Sequence, residues 1–231
     1  MKVEMIRNVA LIAHGGAGKT SLSEALLYDS GAIKRLGKVE EGNTVSDYDP
    51  EEIKRRMSVN TSILPCEWRG YKINVLDTPG YMDFVGEVLG ALRVCEGAIV
   101  VVDASAGVEV GTEMVWSYAD ERQLPRLVFI NKMDRENADF LRVVNEIAEK
   151  FSVNVIPIQL PLGSQASFSG VVDLVKMKAY VGPEAREEEI PAQLKETAEE
   201  YRTKLLEAAA ESEDELIMKY LEGEPLSLIH I

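Results

Sequence analysis

Cysteine, histidine and aromatic side chains are all scarce in this chain. Its 231 residues hold two of each of the first two, and aromatics make up 6%. Cys66 and Cys95 stand at no metal-ligand spacing, so reduced thiols in the cytosol are the expectation. No apolar run approaches the roughly 20 residues that span a bilayer. The start, Met1-Lys2-Val3-Glu4-Met5-Ile6-Arg7, lacks the apolar region of a signal peptide and runs straight into a strand pattern. Positive charge is also short. The formal charge of −14 disfavours non-specific polyanion binding by the segment as a whole. The deficit is uneven, since Glu184 to Glu224 carries 14 acidic and 5 basic side chains. The rest is mildly acidic and leaves room for a local basic face.

The length suits one large α/β domain, or one domain with an insertion. Val9 to Ala13 is a short continuous apolar run, as expected for a strand buried on both faces of a parallel sheet. A glycine-rich turn follows, then a helix from Lys19 to Tyr28. Val59–Trp68 and Tyr71–Leu76 read as strands joined at Arg69-Gly70. Further strands are expected at Ala98–Val102, Leu127–Ile130 and Val153–Ile158, with helices at Thr112–Arg122 and Asp139–Phe151. The alternation implies a doubly wound, mostly parallel sheet with ligands at the strands' C-terminal ends.

The pattern changes near Pro161. Gly163–Ser169 reads as a loop and Gly170–Val175 as a short strand. From Glu187 to Gly223 the chain is acidic and helical, with Leu194, Ala198, Tyr201, Leu205 and Ala208 on one face. Ser212-Glu213-Asp214-Glu215 reads as a capping box for a second helix, stopped by Gly223 with Pro225 beyond. This gives a core over residues 1–160 and an acidic inserted α+β subdomain over 161–231, truncated at its C-terminal end.

Three short segments carry the chemistry. Ala13-His14-Gly15-Gly16-Ala17-Gly18-Lys19-Thr20 lies between a buried strand and a helix. Its backbone N–H groups suit a β-phosphate, Lys19 suits β- and γ-oxygens, and Thr20, with Ser21 beside it, offers a hydroxyl ligand for Mg²⁺. Alone, the pattern could be a glycine-rich turn with an incidental lysine. Asp77-Thr78-Pro79-Gly80 ends the next strand: Asp77 suits Mg²⁺, directly or through water, and Gly80 can bring its N–H against a γ-phosphate. Alone, it could be a Pro-Gly turn. Asn131-Lys132-Met133-Asp134 follows Leu127–Ile130. The Asp134 carboxylate can accept from guanine N1–H and the 2-amino group, Asn131 can tie the segment to the phosphate loop, and the Lys132 stem can cover the base. In this order the three describe a guanine-nucleotide site, with an ATPase as the weakest alternative.

The chain resembles the N-terminal part of the elongation factor G family of translational GTPases. Beyond the three motifs, the resemblance rests on Tyr81 to Val88, Gly107 to Glu113, Arg135, and Pro157 to Gly163, and it runs from about Arg7 to about Pro225. It implies a P-loop NTPase fold, GTP/GDP and Mg²⁺ as ligands, and GTP hydrolysis on the ribosome during translocation. It also implies contacts with ribosomal RNA and, through the acidic insertion, the stalk protein. A cytoplasmic monomer with no membrane attachment is expected.

Four departures from the family pattern stand out. Tyr81 replaces the histidine that follows Asp-Thr-Pro-Gly and helps place the attacking water, which resembles a tyrosine-containing subgroup. A phenol can hydrogen-bond water but cannot carry an imidazolium charge. Arg55-Arg56-Met57-Ser58 stands for Arg-Gly-Ile-Thr, so Ser58 becomes the metal hydroxyl of the first switch, or simply opens a strand. Gly16 replaces a common Asp, which removes a monovalent-cation ligand. The family's Ser-Ala guanine segment has no match, and the tail Leu226 to Ile231 is unlike the expected continuation. With catalysis assigned to Lys19, Gly80 and Tyr81, two alternatives remain open: a GTP-binding ribosomal switch that scarcely hydrolyses, and a ribosomal-protection factor. Trp68, Trp116 and Phe140 are expected in the core, and Arg55-Arg56 as a solvated pair.

Overall fold

The computed structural model describes residues 2–222. It divides into two compact units, Met1–Asn131 and Lys132–Ile231. The first holds β1 (Ile6–Ile12), α1 (Lys19–Asp29), α2 (Pro50–Arg55), β2 (Ser62–Trp68), β3 (Tyr71–Asp77), α3 (Val85–Leu92), β4 (Gly97–Asp103), α4 (Val110–Asp120) and β5 (Arg126–Asn131). The second holds α5 (Phe140–Phe151), β6 (Gln159–Leu162), β7 (Gly170–Asp173), β8 (Lys178–Val181), β9 (Arg186–Glu188), α6 (Ala192–Ala210) and α7 (Asp214–Leu221).

In the first unit the strand order is β2-β3-β1-β4-β5. β3, β1, β4 and β5 run parallel, and β2 pairs antiparallel with β3 through the Arg69-Gly70 turn. Both turn residues have positive φ, 48° and 84°, as a tight hairpin between twisted strands requires. Leu11, Ile12, Val100, Val101 and Val102 are almost wholly buried, the mark of strands covered on both faces. α1 packs on β1, β2 and β3, whereas α3 and α4 pack on β1 and β4 and on each other. Right-handed crossovers put α1 on one face and α3 and α4 on the other. The connections diverge at β1 and β4, so a crevice opens at the C-terminal end of β1, where the phosphate loop begins.

The second unit is a four-stranded antiparallel sheet, β6-β7-β8-β9, with α6 and α7. Leu160, Leu162, Val172, Leu174 and Ala179 from the sheet meet Ala198 and Leu205 of α6, with Leu194 and Tyr201 alongside. Each large apolar side chain so covered contributes roughly 1.5–3 kcal/mol. Arg202 donates to the carbonyls of Leu174 and Val175, tying helix to sheet.

Several sequence expectations need correction. Val153–Ile158 is not a strand. Ser152 turns left-handed at the end of α5 (φ 53°), Pro157 has no N–H to give a ladder, and pairing begins at Gln159 opposite Asp173. β8 and β9 have no counterpart in the sequence pattern; β9 overlaps the start of the stretch that reads as acidic helix. α7 begins after Glu213 without a capping hydrogen bond, because the Ser212 hydroxyl instead donates to the Ala209 carbonyl at 2.7 Å. Trp68 is 50% exposed at the hairpin end of β2, whereas Trp116 is buried and Phe140 packs beside the second unit's core. Gly223, Pro225 and the tail 226–231 lie outside the described residues.

Candidate functional site

The loop between β1 and α1 is built from the inside out. Ala13 and Ala17 are buried, while Gly16 (φ 79°) and Gly18 (φ 103°) take left-handed conformations that let the chain curl and enter α1. Lys19 and Thr20 open that helix and are both buried, whereas Ser21 faces solvent. The His14 ring is held from the side: the Gly111 N–H donates to Nδ1 at 3.2 Å, and Nε2 lies 3.5 Å from a Glu109 carboxylate oxygen. A Cβ on Gly111 would stand 2.5 Å from that Nδ1, so only glycine admits the contact.

Asp77 ends β3 beside this loop. Thr78 donates its hydroxyl to the Leu11 carbonyl at 2.6 Å and Pro79 is buried, which fixes the exit of the strand. Gly80 then crosses the phosphate loop so closely that a Cβ would lie 2.6 Å from Lys19 Nζ and 2.8 Å from Gly15 Cα. The Tyr81 ring rests on Gly15, with ring carbons 3.1 Å from where a Gly15 Cβ would be, and the residue remains 47% exposed.

The first-switch region closes over the same place. Ser58 Oγ is 3.2 Å from Thr20 Oγ1 and donates to Asp47 at 2.7 Å. Ser46 and Ser23 donate to Asp77 Oδ2 at 2.7 and 3.3 Å. Asp77 Oδ1 is buried with no hydrogen-bond partner among the described residues. A buried carboxylate oxygen left so is costly unless another ligand meets it. An oxygen acceptor of this kind, in a site that also holds the Thr20 and Ser58 hydroxyls, fits a hard cation that prefers oxygen donors. No cluster of three or more His, Cys, Asp or Glu placed to hold a metal occurs among the described residues.

Electrostatics follow from the burial. Desolvation pulls the Lys19 ammonium down to about 8, against the opposing pull of Asp77 and then Asp47. Asp77 is pushed up by burial, against its hydroxyl donors and Lys19. Asp47 is pushed up to about 6 by burial, and further by Asp77, Glu52 and Glu24, with the Ser58 hydrogen bond opposing.

At the end of β5, Asn131 Nδ2 donates to the Ala17 carbonyl at 2.9 Å, the tie expected from sequence. Beyond it, Lys132 has φ 60°, a left-handed conformation that costs a non-glycine residue roughly 1–2 kcal/mol. The Arg135 N–H closes a turn on the Lys132 carbonyl at 3.1 Å, Met133 is buried, and Asp134 is exposed at the turn. The Gln165 N–H donates to the Met133 carbonyl at 2.8 Å and braces the turn.

Residues 4–223 match the family described as the elongation factor Tu GTP binding domain. The chain belongs to this family. Elongation factor G of Thermotoga petrophila is 46% identical over 230 residues, 97% of this chain and 33% of that protein. Elongation factor G of Thermotoga maritima is 45% identical over the same shares. A crystal structure from Thermus thermophilus superposes with a TM-score of 0.90 at 42% identity, covering 98% of this chain and 34% of that one. The chain therefore spans about a third of the length of the curated relatives it matches. Its five-stranded, mostly parallel sheet is the P-loop GTPase fold of the elongation factor Tu GTP-binding-domain family.

Within that family fold, Glu24, Ser46 and Asp47 join the site although motif reading does not select them. One signal was available: Thr20, Ser23, Glu24 and Leu27 share a helix face, and inward positions there hold polar groups where an apolar stripe is the rule. Ser46 and Asp47 carry no such signal, because only folding brings that loop to Asp77.

Proposed function

We propose that this chain is the GTP-binding part of a translational GTPase of the elongation factor G kind, acting in translocation. The observation that carries the reading is the convergence of Lys19, Thr20, Ser58, Asp77 and Gly80 on one phosphate loop. Residues 1–160 would form the GTP-binding core and the acidic 161–231 an inserted subdomain for the ribosomal stalk protein. Arg55 and Arg56, exposed at the end of α2, would face ribosomal RNA. A cytoplasmic monomer goes with this assignment.

Thr20, Ser58 and Asp77 would hold Mg²⁺, which when bound neutralises charge on the β- and γ-phosphates. The loop amides from Gly15 to Lys19 and the Lys19 ammonium stabilise the same charge as water attacks the γ-phosphorus and the bond to the β-phosphate oxygen breaks. The Gly80 N–H follows the γ-phosphate because nothing larger fits between it and Lys19. Loss of that phosphate would free the Ser58 and Gly80 segments and alter affinity for the ribosome. Asp134 selects guanine, and Lys132 covers the base.

Tyr81 supports a second reading, a slow or non-hydrolysing switch. Its ring rests on Gly15 of the phosphate loop, yet a phenol is a poor proton carrier at neutral pH. Phosphate release by full-length protein, with and without ribosomes, separates the two. Strong ribosome stimulation with Tyr81 in place is the expected result. Turnover only after Tyr81→His would establish the slow switch.

The depressed Lys19 gives a pH signature. Phosphate favours the charged ammonium, so GDP binding in Mg²⁺-free buffer near pH 8 is expected to take up roughly half a proton. Calorimetry in two buffers of different ionisation enthalpy measures it, and equal heats would mean that Lys19 is already charged.

A further inference from the structure

Helix α1 buries a carboxylate that the proposed chemistry leaves unused. Glu24 is fully buried, one turn beyond Thr20 on the same helix face. Its two oxygens accept backbone N–H groups from opposite ends of one loop: Gly37 at 3.0 Å and Val45 at 2.5 Å. The loop also closes on itself, because the Lys38 N–H donates to the Asn43 side chain at 2.7 Å. Gly37 is indispensable to the fit. A Cβ there would lie 2.5 Å from Glu24 Oε2 and 2.8 Å from both the Asn43 carbonyl oxygen and Thr44 Cα.

A leucine here would leave the Gly37 and Val45 N–H groups without their acceptor, so the carboxylate serves the loop that it holds. The residues after the clasp show what that loop carries. Val45 is followed by Ser46, which donates to Asp77 at 2.7 Å, and by Asp47, which accepts from Ser58 at 2.7 Å. Ser62 in turn donates to the Ser46 carbonyl at 2.7 Å. The chain thus leaves Glu24 and arrives at once at the two side chains that meet Asp77 and Ser58.

We propose that Glu24 is the positioning residue of the first switch. Its carboxylate fixes loop 37–45 on α1, and from that base Ser46, Asp47 and through them Ser58 reach the face that meets Mg²⁺ and the γ-phosphate. The proposal rests on the GTP reading above. It separates two ligands: GDP needs the phosphate loop, whereas GTP with Mg²⁺ also needs the switch in place.

The test uses full-length protein and its Glu24→Gln and Gly37→Ala variants, titrated with fluorescent GDP and a non-hydrolysable GTP analogue over a range of Mg²⁺. Glu24→Gln keeps the size but turns an –NH₂ toward one of the loop N–H groups. Gly37→Ala keeps the carboxylate and breaks the clasp from the loop side, so it remains informative if the buried substitution fails to fold. GDP affinity is expected to stay within about twofold, while analogue affinity falls ~10-fold, the size of one charge-assisted hydrogen bond, and saturates at higher Mg²⁺. Equal losses for both nucleotides, or no change in either for the variant that folds, overturn the proposal. Failure of the unaltered protein to bind either nucleotide would instead overturn the GTP reading.

Discussion

Asp134→Asn is expected to lower GTP affinity of the full-length protein by roughly 10²–10⁴-fold without lowering its melting temperature. Guanine presents two donors on one edge, N1–H and the 2-amino group, and a carboxylate accepts both. Each hydrogen bond to a charged acceptor is worth about 1.5–3 kcal/mol, so the pair accounts for the range. The substitution is isosteric, and Asp134 is exposed at its turn. The turn is set elsewhere, by left-handed Lys132, buried Met133 and the Gln165 brace. An amide puts a donor where the 2-amino group points, but it would match the 2-oxo group of xanthine. Displacement of fluorescent GDP by GTP, ATP and xanthosine triphosphate measures the change. GTP should lose most, ATP should gain little, and the xanthine nucleotide should rise. Unchanged GTP affinity would mean that Asp134 does not read the base.

The central sheet could be read from sequence because parallel strands covered on both faces must be continuously apolar. Val9–Ile12 and Ala98–Val102 announce themselves in this way, whereas Leu127–Ile130 is an apolar edge strand with Leu127 and Phe129 exposed; two of the three motifs begin where such an apolar run ends. That coincidence is physical, since the C-terminal ends of these strands open into the crevice that can hold a ligand. β8 and β9 could not be read in the same way. Arg186–Glu188 is exposed and charged, and it is a strand only because its backbone pairs with Lys178–Val181. Val153–Ile158 has the opposite fault: apolar content that joins no strand ladder among the described residues, interrupted by Pro157.

The site divides along the same line. Glycine and lysine spacings mark the phosphate loop because the loop's shape is a local backbone property, visible in Gly16 and Gly18. The first switch depends on contacts between residues far apart in sequence, Ser46 with Asp77 and Asp47 with Ser58. Ser58 stands out in the sequence only through a family pattern. Gly111 is similar: as a helix residue it is unremarked, and only its contact with His14 shows why a side chain would be excluded. Local chemistry was therefore legible, and chemistry assembled by folding was not.

Lys19→Met is expected to cripple nucleotide binding while leaving the empty protein as stable as before, or more so. Burial pulls the ammonium down to about 8 even though Asp77 and Asp47 pull the other way, so desolvation outweighs the attraction of the nearby carboxylates. No ion pair of Lys19 is found among the described residues, and Asp77 retains the Ser46 and Ser23 hydroxyls when the cation is gone. The empty fold thus gains little from the charge. The nucleotide gains much: charge-assisted contacts to two phosphate groups, at about 1.5–3 kcal/mol each, correspond to roughly 10²–10⁴-fold in affinity. Methionine keeps an unbranched apolar stem of similar reach, which limits the cavity. Thermal unfolding without nucleotide, set beside GDP titration, reads both effects. A melting temperature that falls together with affinity would make Lys19 a structural residue. A stable protein that no longer binds GDP would show a fold that tolerates a poorly placed charge because the phosphates need it there.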